Sequence, residues 1–322
     1  MEGGKGGADN KVTTSGNFGT CPALQSAAIS FANSGKFSLK SISEAAIGRG
    51  LVAASCKPSG WDYSLVFPKF DRRGEGWISE GFKSIMGDGN VPLCGYDWDE
   101  KVHRVFKNDR CDLVVDIGAN TGLAVLPAAS KNYRVLAFEP IPLNCEILRT
   151  NSWVNGWDVD TVGIVAAGVS ESTGNTTIFA PVNAEDNSAI GPNSNVATKN
   201  VGGSAVPIQI KIISIDEYFD SADSKLLNAV RLIKIDVQGH ELPVLRGMKK
   251  ILSNGARRFV LSVEIDHGLQ VATGHGAKDV ENYMLSLGWK AYCSRESEIE
   301  PGSSCYDVVF IHESAVSEAR LK

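Results

Sequence analysis

No apolar run in the 322-residue chain is long enough to span a bilayer, so a membrane span is not expected. The N-terminal MEGGKGGADN also lacks the apolar centre of a secretory signal. Basic excess is missing as well: 32 Lys and Arg stand against 37 Asp and Glu, a net charge of -5. Neutralising phosphates takes a cationic surplus, so no nucleic-acid partner is expected from the overall balance. Close cysteine pairs are absent. The seven cysteines, at 21, 56, 94, 111, 145, 293 and 305, lack the spacing of a zinc ribbon or a redox dithiol and read as reduced and structural. Cys293 and Cys305 could bridge only if a C-terminal hairpin set them opposite each other. The default location is cytoplasmic, with an organelle or secretory lumen left open, and nothing in the sequence fixes an oligomeric state.

What is present is a composition for a folded core: 43% hydrophobic and 21% charged residues. Three zones follow. Residues 1–18 are Gly-rich and polar and are expected to be disordered. Residues 19–104 form an irregular extension of unassigned role, with helices expected at Pro22 to Ala32 and Leu39 to Ser55 and an aromatic stretch at Trp61, Tyr63, Phe67 and Phe70. The Ser/Ala-rich, weakly basic part of it also has the composition of a transit peptide. Residues 105–322 carry a regular α/β pattern. Short β-branched runs at Leu113 to Asp116, Arg134 to Phe138, Thr161 to Ala166, Arg231 to Ile235 and Phe259 to Val263 imply strands. Helical segments alternate with them at Gly122 to Ser130, Pro142 to Trp153, Leu242 to Ser253 and Lys278 to Leu287. That alternation predicts a mostly parallel, doubly wound Rossmann-like sheet with helices on both faces. Closing strands are expected at Ala291 to Tyr292 and Asp307 to Ile311, the last antiparallel. A polar insertion, Glu171 to Val206, is expected to act as a lid or substrate loop.

The sharpest motif is Val114-Val-Asp-Ile-Gly-Ala-Asn-Thr-Gly122, a strand entering a glycine turn and then a helix. Ligands bind at the carboxyl ends of such strands. A dinucleotide fingerprint would need glycines where Asn120 and Leu123 stand, and a phosphate loop would need Lys after Gly122. Neither fits. The pattern Asp116, Gly118, Asn120, Gly122 suits S-adenosyl-L-methionine, which has an amino-acid head and a ribose diol but no phosphate. In this reading Asp116 holds the ammonium, directly or through water, the turn amides meet the carboxylate, and Glu139 at the next strand end grips the ribose hydroxyls. Glu139 is taken as a rim residue whose loss should barely affect folding.

The chain resembles the FkbM-type family of S-adenosylmethionine-dependent methyltransferases. The collinear matches are Val115-Asp-Ile-Gly-Ala-Asn-Thr-Gly122, Val135-Leu-Ala-Phe-Glu-Pro140, Asn151 to Gly156, Ala166-Ala-Gly-Val-Ser170, the block Leu232 to Gly247, and Val260-Leu-Ser-Val-Glu264. They span about half the chain, and Lys-Ile-Asp-Val-x-Gly-x-Glu is the most specific of them. The resemblance implies a class I methyltransferase fold and methyl transfer to a hydroxyl of a sugar, glycan or small natural product.

An alcohol must lose its proton as the new bond forms, so a general base or orienting group is expected near the acceptor. Asp236, ending the fourth core strand, is the first choice, with helix capping as the competing role. His240 titrates in the useful range, near its reference of about 6.5, and is the second choice. Lys234 and Asp236 share a face by the two-residue period of a strand. Glu264 ends the fifth strand and completes the catalytic set. For Glu241, site and helix-terminus roles stand even. Asp236, Glu264 and His267 lack tight metal-ligand spacing, and the family more often carries Glu where Gln238 stands, so no metal is expected. An RNA ribose 2'-O-methyltransferase and a non-catalytic scaffold are the alternatives.

Overall fold

The computed structural model describes residues 51–56, 63–68 and 113–314, apart from 123, 131–132, 182–187, 192–194, 199–201, 223, 255–258 and 294–304. The expected disordered tail, the first expected helix, and the boundary between extension and catalytic domain lie outside the described residues. The end of the second expected helix is corrected. Leu51–Cys56 (β1) is a strand, paired antiparallel with Tyr63–Pro68 (β2) in a ladder running from Leu51 opposite Pro68 to Cys56 opposite Tyr63. Cross-strand pairing, which a reading of local helical pattern does not register, decides this segment.

From residue 113 the α/β alternation is realised. Leu113–Ile117 (β3) leads to Val125–Ser130 (α1), Arg134–Phe138 (β4), Pro142–Val154 (α2) and Val162–Val165 (β5). Gly168–Val169 (β6), Gly174–Pro181 (β7), Ala189–Ile190 (β8), Asn195–Thr198 (α3) and Ala205–Ile213 (β9) follow. Ile215–Ser221 (α4) and Ser224–Ala229 (α5) then precede Val230–Ile235 (β10), Glu241–Arg246 (α6), Lys249–Leu252 (α7) and Val260–Asp266 (β11). His267–Ala272 (α8), Ala277–Ser286 (α9), Trp289–Cys293 (β12) and Cys305–His312 (β13) complete the described chain.

The main sheet has seven strands in the order β12-β13-β11-β10-β3-β4-β5, all parallel except β13, which runs antiparallel to both its neighbours. Its central strands are mostly apolar, because helices cover both faces, with Asp116 of β3 and Lys234 of β10 as charged exceptions toward the carboxyl ends. Val115, Ile117, Ile233, Ile235, Leu261 and Val263 are completely buried on one side. Val114, Ala137, Leu232 and Val260 pack on the other with α1 and Leu148 of α2. Chain order reverses between β3 and β10, which opens a crevice at their carboxyl ends. Among the described residues no helix is long and apolar enough to cross a membrane.

Three expectations are corrected. The polar insertion is not simply a loop: its described residues build much of a four-stranded second sheet, β6-β9-β7-β8, whose own core contains Ile178, Ala180 and Ile210. The single helix expected at Leu242 to Ser253 is two short ones. They break at Gly247, where a Cβ would lie 2.1 Å from the Ser170 carbonyl oxygen, and where the Gly247 carbonyl accepts from Asp216 N and Ser214 Oγ, each at 2.9 Å. The C-terminal hairpin forms, but in a register that sets Cys293 opposite Val308 and Cys305 opposite Asp266. A three-residue offset is about 10 Å along a strand, beyond disulfide reach.

Candidate active site

The turn after β3 closes tightly on its neighbours. Gly118 and Gly122 have φ of +85° and +105°, and Asn120, with a side chain, still adopts +52°. Gly118 is required by packing, since a Cβ there would fall 1.8 Å from the Asp236 carbonyl oxygen. Gly118 N and Ala119 N both donate to Phe138 O, Asn120 N donates to Glu139 Oε2, Thr121 N to Asn120 Oδ1, and Gly122 N to Ala119 O. Every amide from 118 to 122 is thus satisfied within the chain, contrary to the expectation that they stand free for a ligand carboxylate. The turn folds back onto the end of β4 instead of opening outward. From α2, Asn151 pins it by donating from Nδ2 to Thr121 O at 2.8 Å.

Glu139 continues β4 by donating its amide to Val165 O. Its side chain is 4% exposed, accepting from Asn120 N at 2.9 Å, Ile141 N at 2.8 Å and Asn144 Nδ2 at 3.3 Å. It therefore braces both the glycine turn and the start of α2, and the picture of a free rim residue is corrected. Burial pushes its carboxyl up to about 7, against the opposing hydrogen bonds from Ile141, Asn120 and Asn144.

On β10 the two-residue period acts as expected. Lys234 Nζ lies 3.1 Å from Asp236 Oδ2 and 3.7 Å from Asp116 Oδ1, bridging the ends of two adjacent strands. Asp116 is 1% exposed, and neither carboxylate oxygen has a hydrogen-bond partner. It does not line the cleft described below. Burial raises its carboxyl above the ordinary value, with Lys234 opposing. Asp236 behaves oppositely. Burial alone would raise it, but the Lys234 charge and hydrogen bonds with Glu264, Gln238 and Lys234 outweigh that and hold it at about 2. Gln238, at φ +54°, donates from Nε2 to Asp236 Oδ1 at 2.9 Å. Among the described residues no cluster of three or more His, Cys, Asp and Glu could hold a metal ion.

His240 Nε2 sits 2.9 Å from Ser170 Oγ, at the end of β6. Burial, with His275 nearby, holds its imidazole at about 4. It is neutral across the physiological range, which corrects the expectation of a titration near the histidine reference. Glu241 takes the structural role. It is 1% exposed, its Oε1 accepts from Val237 N and Gly239 N, and its Oε2 accepts from Gln270 Nε2. Thr273 Oγ1 donates to Gly239 O at 2.7 Å, so the loop after β10 is clamped to α8 and its end.

A cleft opens at the strand-order reversal. Gly118, Asn120, Glu139 and Asn144 line one end, and Asp236, Gln238 and His240 the other, with Ile178, Ser188 and Ile190 of the insertion also contributing to its wall. Lys234 lies beneath Asp236, and Glu264 meets Asp236 from β11. Asn144 and Ser170 were missed from sequence. Asn144 had a signal, five residues past Glu139 in the first turn of a helix opened by Pro142. Ser170 had none, because its contact spans 70 residues.

A seven-stranded sheet with this order, one antiparallel strand, and a polar cleft at the reversal defines a class I methyltransferase fold. Residues 116–290 match the methyltransferase FkbM domain model, and the chain belongs to that family. Among curated relatives, hexuronic acid methyltransferase AglP of Haloferax volcanii is 34% identical over 158 residues, covering 49% of this chain and 57% of that protein. Methyltransferase sdnD of Sordaria araneosa is 30% identical over 155 residues, covering 42% of this chain and 60% of that one. The chain thus spans little more than half the length of these relatives. A crystal structure of methyltransferase FkbM from Methylobacillus flagellatus superposes with a TM-score of 0.37 at 16% identity, covering 90% of this chain and 58% of that one.

Proposed function

We propose that this protein is an S-adenosylmethionine-dependent O-methyltransferase acting on a hydroxyl of a sugar, glycan or small natural-product acceptor. One observation carries the reading: the crevice offers polar side chains at both ends, yet the amides of its glycine turn are satisfied and no Lys or Arg is among the described residues that line it. Phosphate would find no grip there, whereas a ligand with a ribose diol and an amino-acid head meets Glu139, Asn120 and Asn144. Glu139 and Asn144 would hold the ribose, and Asn120 the amino-acid portion, with Asp116 and Lys234 setting the buried charge behind it. The bound donor supplies a methyl group on a sulfonium, which departs as a neutral thioether.

The chain's own task is to orient the acceptor and receive its proton. Asp236 is partly exposed, its side chain 27% accessible, and is held in place by Lys234 and Gln238. A hydroxyl donating to Asp236 has its lone pair free for the methyl carbon. As the oxygen–carbon bond forms and the sulfur–carbon bond breaks, the hydroxyl proton passes to the carboxylate. His240, neutral and positioned by Ser170, stands beside it as a second acceptor. The name of the Haloferax relative, a hexuronic acid methyltransferase, supports a sugar-like acceptor. Calorimetry with the methyl donor, its demethylated product and NAD, followed by a screen of glycans and polyols with labelled donor, tests the reading. Binding of the first two and label transfer to a hydroxyl are expected. Tight NAD binding with no response to the donor would overturn it.

A further inference from the structure

The loop after β10 is a tight turn with both central residues at positive φ, Gln238 at +54° and Gly239 at +94°, closed by His240 N donating to Val237 O at 3.4 Å. A turn of this kind keeps its end residues within about 7 Å, so Asp236 and His240 stand beside each other at its base. The turn is pinned in place: Glu241 Oε1 accepts from Val237 N and Gly239 N, and Thr273 Oγ1 donates to Gly239 O. Asp236 and His240 both line the cleft. The imidazole is fixed a second time from the insertion sheet, where Ser170 Oγ lies 2.9 Å from Nε2. Ser170 is itself anchored, because its amide donates to Ile213 O and its carbonyl lies so close to Gly247 that a Cβ there would sit 2.1 Å from it.

A neutral imidazole carries one N–H and one lone pair, and the bond made by one nitrogen fixes the role of the other. With Nε2–H donating to Ser170 Oγ, Nδ1 becomes the accepting atom of the ring. A hydroxyl has a single proton, and in the proposed reaction the reacting hydroxyl gives it to Asp236. Nδ1 therefore needs a different donor on the same acceptor molecule, and the narrow base of the turn puts that donor on the neighbouring carbon. We infer that His240, fixed by Ser170, reads a second hydroxyl beside the reacting one, and that the acceptor is a vicinal diol on a sugar, cyclitol or aromatic ring. This deepens the proposed O-methyltransferase reading and rests on it. His240 is then a specificity-determining group, and Ser170, which acts through the imidazole, is a positioning residue. An acceptor lacking the second hydroxyl leaves Nδ1 without its partner, which is how a site of this kind discriminates.

The test uses the full chain, labelled methyl donor and matched acceptor pairs: a hexoside and its monodeoxy analogue, cyclohexane-1,2-diol and cyclohexanol, catechol and phenol. We expect kcat/KM for the best diol to exceed that of its single-hydroxyl partner by about tenfold or more. His240→Phe keeps a ring and removes both nitrogens; it should bring that ratio to within about threefold of unity while the variant still binds the donor. Ser170→Ala should raise KM for the diol more than it lowers kcat. In the 15N spectrum it should also move His240 from the Nε2–H form toward a mixture of tautomers. Ser170→Thr, which keeps the hydroxyl, should restore both. Single-hydroxyl acceptors used as well as the diols, a ratio unmoved in His240→Phe, or a wild-type imidazole protonated at Nδ1 would overturn the inference while leaving methyl transfer intact. Transfer to none of the pairs by a protein that binds the donor would instead sink the acceptor reading on which the inference rests, and the inference with it.

Discussion

Glu139 and Asp236 are both carboxylates at the ends of strands in one sheet, and they line the same cleft, yet their surroundings drive them apart. Glu139 is buried among neutral donors, and burial wins: its carboxyl rises to about 7. Asp236 sits against the Lys234 ammonium, and the charge wins: its carboxyl falls to about 2. Two acids with split affinities for protons are suited to two tasks. In the proposed reading Glu139 would hold donor hydroxyls, whereas Asp236, ionised at neutral pH beside Lys234, would face the acceptor and take its proton. The difference teaches that the neighbours on adjacent strands, more than the residue type, assign the roles.

The most drastic way to break this arrangement is Gly118→Ala. A Cβ would overlap the Asp236 carbonyl oxygen at 1.8 Å and also strain a φ of +85°, forcing apart the turn that Glu139 braces and the strand end that carries Asp236. A loss of roughly 2–4 kcal/mol in stability, together with loss of donor binding, is expected in thermal melts and calorimetry. A normally stable, active variant would show that the close approach does not matter.

Glu241 sharpens the comparison, because it lies on the Asp236 side but titrates like Glu139, raised by burial to about 7. A carboxyl whose folded value exceeds its unfolded value of about 4.3 favours the folded state most at low pH. Its contribution is complete below the unfolded value and is lost as pH rises through about 7. Glu241→Gln should therefore flatten the fall in stability between pH 5 and 8, by on the order of 1–3 kcal/mol. Its partner can adapt: the buried Gln270 Oε1 has no hydrogen bond, so turning that amide lets it accept from the new side chain. A pH profile unchanged by the substitution would mean Glu241 is charged throughout.

The smallest effect is expected at His240. With its imidazole held at about 4, His240 should contribute no inflection near 6.5, the unperturbed histidine value, so the rate profile should be the same in His240→Gln, and that variant should cost roughly tenfold or less if Asp236 takes the proton. A loss of a thousandfold, or an inflection that disappears in the variant, would transfer the role of base to His240.

Much of this was legible from residue order. The β-branched runs of the parallel strands located the main sheet, because strands buried on both faces have few other solutions, and the motif from Asp116 to Gly122 and the strand-end acids located the cleft. Alternation along β10 correctly paired Lys234 with Asp236. What escaped was set by distant partners. The insertion folds as a sheet because β7 finds β9 across a long loop, and no local pattern announces that pairing. The helix after β10 breaks because Gly247 meets the Ser170 carbonyl from a remote segment. The glycine-turn amides looked free for the same reason: their acceptors, Phe138 O and Glu139, belong to the next strand.

The division between the two acids is tested most directly by measuring donor affinity and turnover in Asp236→Asn and Glu139→Gln side by side. The account predicts that Asp236→Asn binds the methyl donor within about threefold of wild type but loses on the order of 10²–10⁴ in kcat, because the amide keeps shape and removes the proton acceptor. Glu139→Gln should weaken donor binding by about 1–3 kcal/mol, since one of its hydrogen-bonded donors is left unpaired. Equal loss of donor binding in the two variants, with turnover by the bound complex preserved in Asp236→Asn, would contradict it.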